Sequence, residues 1–276
     1  MTADLWTIGR LEFIAAARLK WIRLLTAALA SLAVAAAYSA GAANDIAGAD
    51  GFARTTMGLL PVVLVLVPLA ALILGVSAQS CDTDSEGLLF GQPVSRTVVV
   101  IGRWLGESAA LAAAIVLGLA IGGATVAFAS RSTEGLAQFA FFAAASVALG
   151  VIFLSIAAVV AAATRSRTVA LGTATFLWFA FVLLYDGVAL SLAGWLTGSV
   201  GGRVLFISVF GNPVGVIRVA TLSIAGTPAV LGAAGESWVR FLGGPEGALL
   251  ATLAAVSAWL TIPIVAAVAL INRRDL

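Results

Sequence analysis

The sequence contains no histidine, one cysteine and two methionines among 276 residues. A single cysteine, Cys81, excludes a disulfide within the chain. Soft metals such as copper are held in proteins mainly by Cys, His and Met side chains, so this inventory excludes a metal site built from several such ligands. The absence of histidine also removes Ser–His and Cys–His catalytic pairs and the H-E-x-x-H zinc motif. We therefore expect neither catalytic nor metal-binding residues in this chain.

Charged residues are also scarce, at 10% of the chain, and Lys20 is the only lysine. The P-loop motif G-x-x-x-x-G-K-[ST] is absent, so the chain cannot cradle a nucleotide in the usual way, and any ATP must be hydrolysed by another protein. The net charge of +2 is too small to suggest a nucleic-acid partner.

Apolar residues, by contrast, make up 62% of the chain, and the mean hydropathy is +1.12. Soluble domains are typically about half apolar, so we expect an all-α integral membrane protein made of one transmembrane domain, residues 1–276. A bilayer core requires about 20 residues of helix. Six stretches meet that length: residues 22–40, 58–78, 104–129, 139–163, 169–191 and 247–271.

Two further segments are helical but unsuited to crossing. Residues 4–20 place apolar side chains near one helical face and charged ones largely elsewhere, which predicts an amphipathic helix on the membrane surface. Residues 192–245 are rich in glycine, and their apolar runs are short or interrupted by charge. We expect short interfacial or re-entrant helices there.

The positions of the basic residues predict the orientation. With six spans, ten Lys and Arg residues fall on the side of both termini and five on the other. The positive-inside rule then places both termini and residues 79–103 in the cytoplasm, residues 192–245 outside, and the chain in the cell inner membrane. The ten are Arg10, Arg18, Lys20, Arg23, Arg96, Arg103, Arg165, Arg167, Arg273 and Arg274.

The segment from Gln79 to Glu107 is the polar interruption with the clearest pattern. Three acids come first, an apolar triplet follows, a Gly/Pro break ends it, and Ser95 is placed to cap the next helix. From these residues alone, a docking surface for a partner and an ordinary solvated loop are equally good interpretations. The residues concerned are Asp82, Asp84, Glu86, Leu88, Leu89, Phe90, Pro93, Ser95 and Arg96.

Polar and small residues inside the spans also require interpretation. Glu107 follows Arg103 by one turn, so an i, i+4 ion pair is expected. Asp186 has no cation nearby in sequence and faces either the bundle interior or the membrane interface. Gly118 and Gly122 have the spacing that lets two helices approach closely, within the chain or across a dimer.

The chain as a whole resembles the permease subunits of ABC type-2 transporters. The resemblance rests on six spans, the amphipathic N-terminal helix and the stretch LLFGQPVSRTVVVIGRW. Asp84-Ser85 stands where that family typically has Gly-Thr, and Arg103 where it has lysine. Within the family, the stretch Asn212 to Arg218 and the Arg273-Arg274-Asp275-Leu276 ending are similar to permeases that serve maturation of nitrous oxide reductase. The acid that those permeases have near Gly215 is missing.

The resemblance implies a non-catalytic permease that forms a homodimer and binds two cytoplasmic ATPase subunits, which hold the ATP and Mg. It makes the nine loop residues named above the ATPase-coupling contact, and assigns Asn212, Pro213 and Arg218 to contact with a periplasmic solenoid protein. The implied role is assembly of the copper centre of nitrous oxide reductase. Two alternatives remain open, namely an exporter of a lipid, drug or peptide, and an ion-coupled secondary transporter.

Overall fold

The computed structural model describes residues 2–42, 49–79, 95–164, 166–196, 199–224 and 245–273, and every regular element within them is a helix. We number these helices in chain order. A π-helical turn, Ala180–Leu184, joins α6 to α7. The helices are α1 Thr2–Arg18, α2 Lys20–Ala42, α3 Ala49–Gln79, α4 Arg96–Ser130, α5 Leu136–Ala163, α6 Arg167–Phe179, α7 Tyr185–Trp195, α8 Ser199–Phe210, α9 Pro213–Ile224 and α10 Pro245–Asn272.

Among the described residues, six helical units are long and apolar enough to cross a membrane, which confirms the predicted all-helical membrane protein with six candidate spans. They are α2, α3, α4, α5, the continuous α6–π–α7 unit and α10. The predicted N-terminal helix is present as α1. It ends at Arg18, and Leu19 alone separates it from α2. Between the fifth and sixth spans, α8 and α9 form a pair bent by 100° at Gly211 and Asn212.

The core of the bundle is α5, which contacts α3, α4, α9 and α10. Its side chains are apolar all round, as expected of a helix with neighbours on every side. Four of its large side chains are completely buried, namely Phe142, Leu149, Phe153 and Leu154. In contrast, α6–α7 and α10 expose most of their apolar surface at the periphery. An apolar periphery of this kind matches a lipid environment.

Two prolines lie within α3, and a hydrogen bond from a neighbouring helix reaches the turn before the second. Pro68 has no N–H, so the carbonyl of Leu64, four residues earlier, loses its helical donor. Trp178 on α6 donates from Nε1 to the carbonyl of the next residue, Val65, at 3.0 Å. This bond joins α6 to α3 beside the proline.

The small-residue pair Gly118 and Gly122 packs within the chain. A Cβ on Gly118 would lie 2.8 Å from Cβ of Leu29, and one on Gly122 would collide with Cβ of Ala33. Both contacts are with α2, so the close approach that this spacing permits joins α4 to the first span. This decides between the two uses that the sequence left open.

The two ends of the bundle gather different elements. One end, which we call the Arg96 end, brings together α1, the end of α3, the start of α4 and the end of α10. At the opposite Ser130 end, Phe52 of α3 packs against Phe139 of α5, with ring centroids 5.7 Å apart. The positive-inside prediction assigns the Arg96 end to the cytoplasm.

Candidate functional site

Glu107, near the Arg96 end of α4, carries a fully buried carboxylate at 0% exposure. Gln79, the last residue of α3, donates from Nε2 to its Oε2 at 3.1 Å, while Oε1 has no hydrogen-bond partner among the described residues. Gly75 lets α3 approach α5 beside this group, because a Cβ there would lie 2.7 Å from Cβ of Ala157 and in ordinary contact, at 3.7 Å, with Oε2. Burying a carboxyl group with an oxygen that lacks a hydrogen-bond partner is costly, so Glu107 is a functional candidate.

The ion pair expected between Arg103 and Glu107 is not what the structure shows. Arg103 Nε pairs instead with Oε1 of Glu12 on α1 at 3.1 Å, with about a fifth of each side chain exposed (19% and 22%). The reason is tertiary, because α1 presents its own carboxylate to this turn of α4 while Glu107 faces the end of α3. The ion pair therefore links α1 to α4.

Glycines let α1 lie directly against α4 at this point. A Cβ on Gly102 would lie 2.8 Å from Cγ2 of Ile8. One on Gly106 would collide with the carbonyl of Gly9 and lie 2.8 Å from Cβ of Glu12. Small residues at such a crossing allow the two backbones to approach closely. The amphipathic helix is thus packed onto the first turns of α4 as well as being ion-paired to it.

Substituting alanine for Gly106 is expected to separate α1 from α4. The added methyl group meets backbone and Cβ atoms that cannot move independently, and overpacking of this kind costs about 1–3 kcal/mol. Gly172→Ala is the matched control, because a Cβ there meets nothing within 4 Å and alanine favours the helix. Thermal unfolding of the purified chain should show a lower midpoint for the first variant only. Equal midpoints for the two variants would contradict the close packing.

The start of α4 is bonded to the end of α10. Arg96 Nη1 donates to the carbonyl of Ile271 at 3.4 Å, and Asn272 Nδ2 donates to Thr97 Oγ1 at 3.3 Å. Ser95 occupies the N-cap position in an extended conformation, but its side chain makes no capping hydrogen bond, which corrects the predicted cap. Its carbonyl accepts the first helical bonds instead.

Of the nine predicted ATPase-coupling residues, the structure therefore places Ser95 and Arg96 at the Arg96 end of the bundle. The other seven lie outside the described residues: Asp82, Asp84, Glu86, Leu88, Leu89, Phe90 and Pro93. The short helix expected over residues 82–90 lies there too. What the structure does define is how the bundle holds both flanks of this segment, at Gln79 and at Arg96.

Asp186 has a cation partner that its local sequence does not contain. Arg218 Nη2 on α9 contacts Asp186 Oδ2 at 2.5 Å, and both side chains are partly exposed (37% and 44%). The pair borders a cavity of about 350 Å³ whose remaining lining is apolar and comes from α3, the π-helical turn and α9. Such a pair is exposed enough to exchange partners, and solvent screening keeps its contribution to stability small.

Asn212 forms the hinge between α8 and α9 and is completely buried. Its Oδ1 accepts from the backbone N–H of Val214, so it caps α9, and Pro213 takes the first helical position, where no N–H is needed. Its Nδ2 donates to the carbonyl of Phe181 at 2.9 Å. That carbonyl belongs to the π-helical turn, whose wider hydrogen-bonding pattern changes which carbonyls are available.

The hinge lies within the bundle. Trp259, near the middle of α10, donates from Nε1 to the carbonyl of Phe210, and Tyr185 donates to the carbonyl of Ser208 at 2.9 Å. A Cβ on Gly211 would collide with the Tyr185 hydroxyl, so a larger residue there would displace the Tyr185 ring. These contacts fit the re-entrant alternative for this segment.

The predicted extracytoplasmic contact residues consequently separate into two kinds. Asn212 and Pro213 are buried by the chain itself, which leaves them no surface for a partner in this conformation. Arg218 keeps an accessible guanidinium beside the cavity. The described residues contain no group of three or more His, Cys, Asp or Glu side chains that could hold a metal ion.

Comparisons with known proteins extend over almost the whole chain. A family model described as "ABC-2 family transporter protein" matches residues 6–276. Two similar curated proteins are both named "Probable ABC transporter permease protein NosY". The Stutzerimonas stutzeri protein is 30% identical over 226 residues, which cover 80% of this chain and 82% of that protein. The Pseudomonas aeruginosa protein is 30% identical over 227 residues, covering 79% and 81%.

Proposed function

Because the chain belongs to the ABC-2 family of transporter proteins, we propose that it is the membrane subunit through which a separate ATPase drives movement across the inner membrane. The chain is an ABC transporter permease similar to NosY. In this proposal ATP and Mg are bound by two ATPase subunits at the cytoplasmic side of a homodimer. The permease contributes no catalytic group and converts ATPase closure into a rearrangement of its own helices.

The observation that supports the proposal is the way the bundle holds both flanks of residues 80–94. Gln79 is bonded to Glu107 on α4, and Arg96 is bonded to the end of α10. Arg103, two turns after Arg96, is paired with Glu12 on α1. Any displacement imposed on residues 80–94 therefore acts on four helices at once. We assign the acids Asp82, Asp84 and Glu86 and the apolar triplet that follows them to binding the ATPase.

We place the far end of the movement at the Gly211–Asn212 hinge and the Asp186–Arg218 pair. The hinge is held by single hydrogen bonds to α7, α10 and the π-helical turn, each of which can be exchanged without unfolding a helix. Arg218 is accessible to an extracytoplasmic partner. A periplasmic solenoid protein is the partner we propose, because the relatives are NosY proteins.

The finer role that we propose is maturation of the copper centre of nitrous oxide reductase. The sequence contains no histidine and one cysteine, so the permease is a poor conduit for copper. It would act instead by transmitting motion to a partner that handles the metal or sulfur species. Binding of copper to the purified permease at a defined stoichiometry through intramembrane ligands would contradict this mechanism.

Reversing two acids of the loop should test the ATPase contact. In the variant Asp84→Lys with Glu86→Lys, we expect the ATPase to dissociate from the permease, because two attractive charges become repulsive. Glu134→Lys is the control, since this exposed acid lies in the turn between α4 and α5 at the opposite end. The measurements are co-purification of the ATPase from membranes and ATP turnover by the complex.

The control should keep both properties, and both variants should insert in the membrane at the wild-type level. Unchanged co-purification and turnover in the double variant would refute the loop contact. A complex with normal ATP turnover that exports a lipid, drug or peptide without affecting nitrous oxide reductase would retain the permease function and overturn the maturation role.

A further inference from the structure

A groove of about 550 Å³ lies between α1 and α4 beside their glycine crossing. Its walls are almost entirely apolar, and Arg10 is the one charged residue among the described residues that line it. The lining residues are Leu5, Trp6, Gly9, Arg10, Phe13, Leu105, Gly106 and Ala109. Several of these side chains are exposed although they are apolar, with Trp6 at 75% and Leu105 at 46%.

The α4 wall of this groove continues into a lipid-facing stripe. Leu105, Ala109, Val116 and Ala120 are all exposed apolar residues, and their spacing places them on one face of α4. An occupant that enters the groove can therefore extend beyond it along α4 within the hydrocarbon region. This geometry requires a molecule that is apolar over most of its length.

The charge of Arg10 favours an occupant that carries a negative group at this end of the groove. Arg10 is exposed and forms no ion pair or hydrogen bond with any of the described residues, whereas Arg103 on the facing helix is paired with Glu12. Exposed Arg18, Lys20 and Arg23 follow on α1 and α2 and add positive charge at the same end of the bundle. Basic residues at a membrane surface attract anionic lipid headgroups.

We propose that this groove is a binding site for one anionic phospholipid of the leaflet in which α1 lies. The headgroup phosphate binds the Arg10 guanidinium, and an acyl chain lies between Trp6, Phe13 and Leu105. The glycine crossing at Gly106 forms the floor. The bound lipid completes the packing of the amphipathic helix on α4 and makes the contact between α1 and α4 sensitive to the composition of the membrane.

Native mass spectrometry of the full-length chain, titrated in detergent with phosphatidylglycerol or phosphatidylcholine, tests the site. Arg10→Gln should reduce phosphatidylglycerol affinity about fivefold, the effect of one basic residue near a membrane surface. Leu105→Trp should block the groove while leaving every charge in place. Arg23→Gln is the matched control, because Arg23 is exposed at the same end without lining the groove.

We expect weaker binding of phosphatidylglycerol to Arg10→Gln and Leu105→Trp than to the wild type, and wild-type binding to Arg23→Gln. An equal loss in Arg23→Gln would show diffuse surface electrostatics and overturn the site. Equal affinity for the two lipids would overturn the role of Arg10. If Arg10→Gln and Leu105→Trp lower the fraction of dimer without changing lipid binding, a second copy of the chain covers the groove, and the proposal fails.

Discussion

Replacing Glu107 by leucine is expected to stabilise the chain and to uncouple it from its ATPase. Leucine is close in size to glutamate and would pack among Gly75, Leu154 and Ala157, where the carboxylate now lies. A buried polar atom without a hydrogen-bond partner costs about 1–3 kcal/mol, and the substitution removes it. Gln79 is only partly buried, so its amide can turn to water.

The expected uncoupling follows from the position of Gln79 and from its hydrogen bond to Glu107. It is the last described residue before the proposed ATPase contact, and its bond to Glu107 ties that contact to α4. Glu107→Gln is the matched variant, since the side-chain oxygen of a glutamine can still accept from Gln79 although the residue cannot ionise. We expect Glu107→Gln to retain coupling and Glu107→Leu to lose it.

Two measurements separate stability from coupling at this position. Thermal unfolding of the purified permease should give a higher midpoint for Glu107→Leu than for the wild type. Coupling is measured as the dependence of ATP turnover on the permease and as copper-centre formation in nitrous oxide reductase. A less stable leucine variant, or one with full coupling, would contradict the role assigned to Glu107. Such a gain in stability with a loss of function is characteristic of functional residues.

The second large effect is expected for Asn212→Ala, which should lower the free energy of unfolding by about 2–4 kcal/mol. Loss of a helix cap costs about 1 kcal/mol, and leaving a buried carbonyl without its donor costs about 1–3 kcal/mol. Both apply, because Asn212 caps α9 through Val214 and donates to Phe181. Asn212 is completely buried, so water cannot take the place of its side chain in these hydrogen bonds.

Asn212→Ser separates the two contributions. Serine still caps a helix but is too short to reach the carbonyl of Phe181, so only the second cost should remain. Asn272→Ala is the surface control, because that side chain is exposed and its bond to Thr97 is long, at 3.3 Å. Chemical or thermal unfolding should rank the variants as Asn272→Ala least affected, then Asn212→Ser, then Asn212→Ala. A different order would show that the hinge does not depend on the π-helical turn.

The resemblance in sequence did not extend to the geometry of the candidate sites. The resemblance predicts that the stretch from Asn212 to Arg218 contacts a partner, and it predicts no hinge there. Only the structure shows that Asn212 is buried and bonded to the π-helical turn, and that Arg218 reaches Asp186, which is 32 residues away in sequence. The π-helical turn that makes the first contact possible leaves no recognisable sequence pattern.

The sequence by itself determined the number of spans and the amphipathic first helix. The bilayer requires runs of about 20 apolar residues with all backbone groups bonded internally, and composition alone meets or fails that requirement. Tertiary structure decided which polar groups meet. Arg103 pairs with Glu12 instead of Glu107 because Gly102 and Gly106 let α1 approach α4 closely, and Glu107 bonds to Gln79 across the contact between α4 and α3. Helical spacing describes neighbours on one helix, whereas these partners come from the helix that packs alongside.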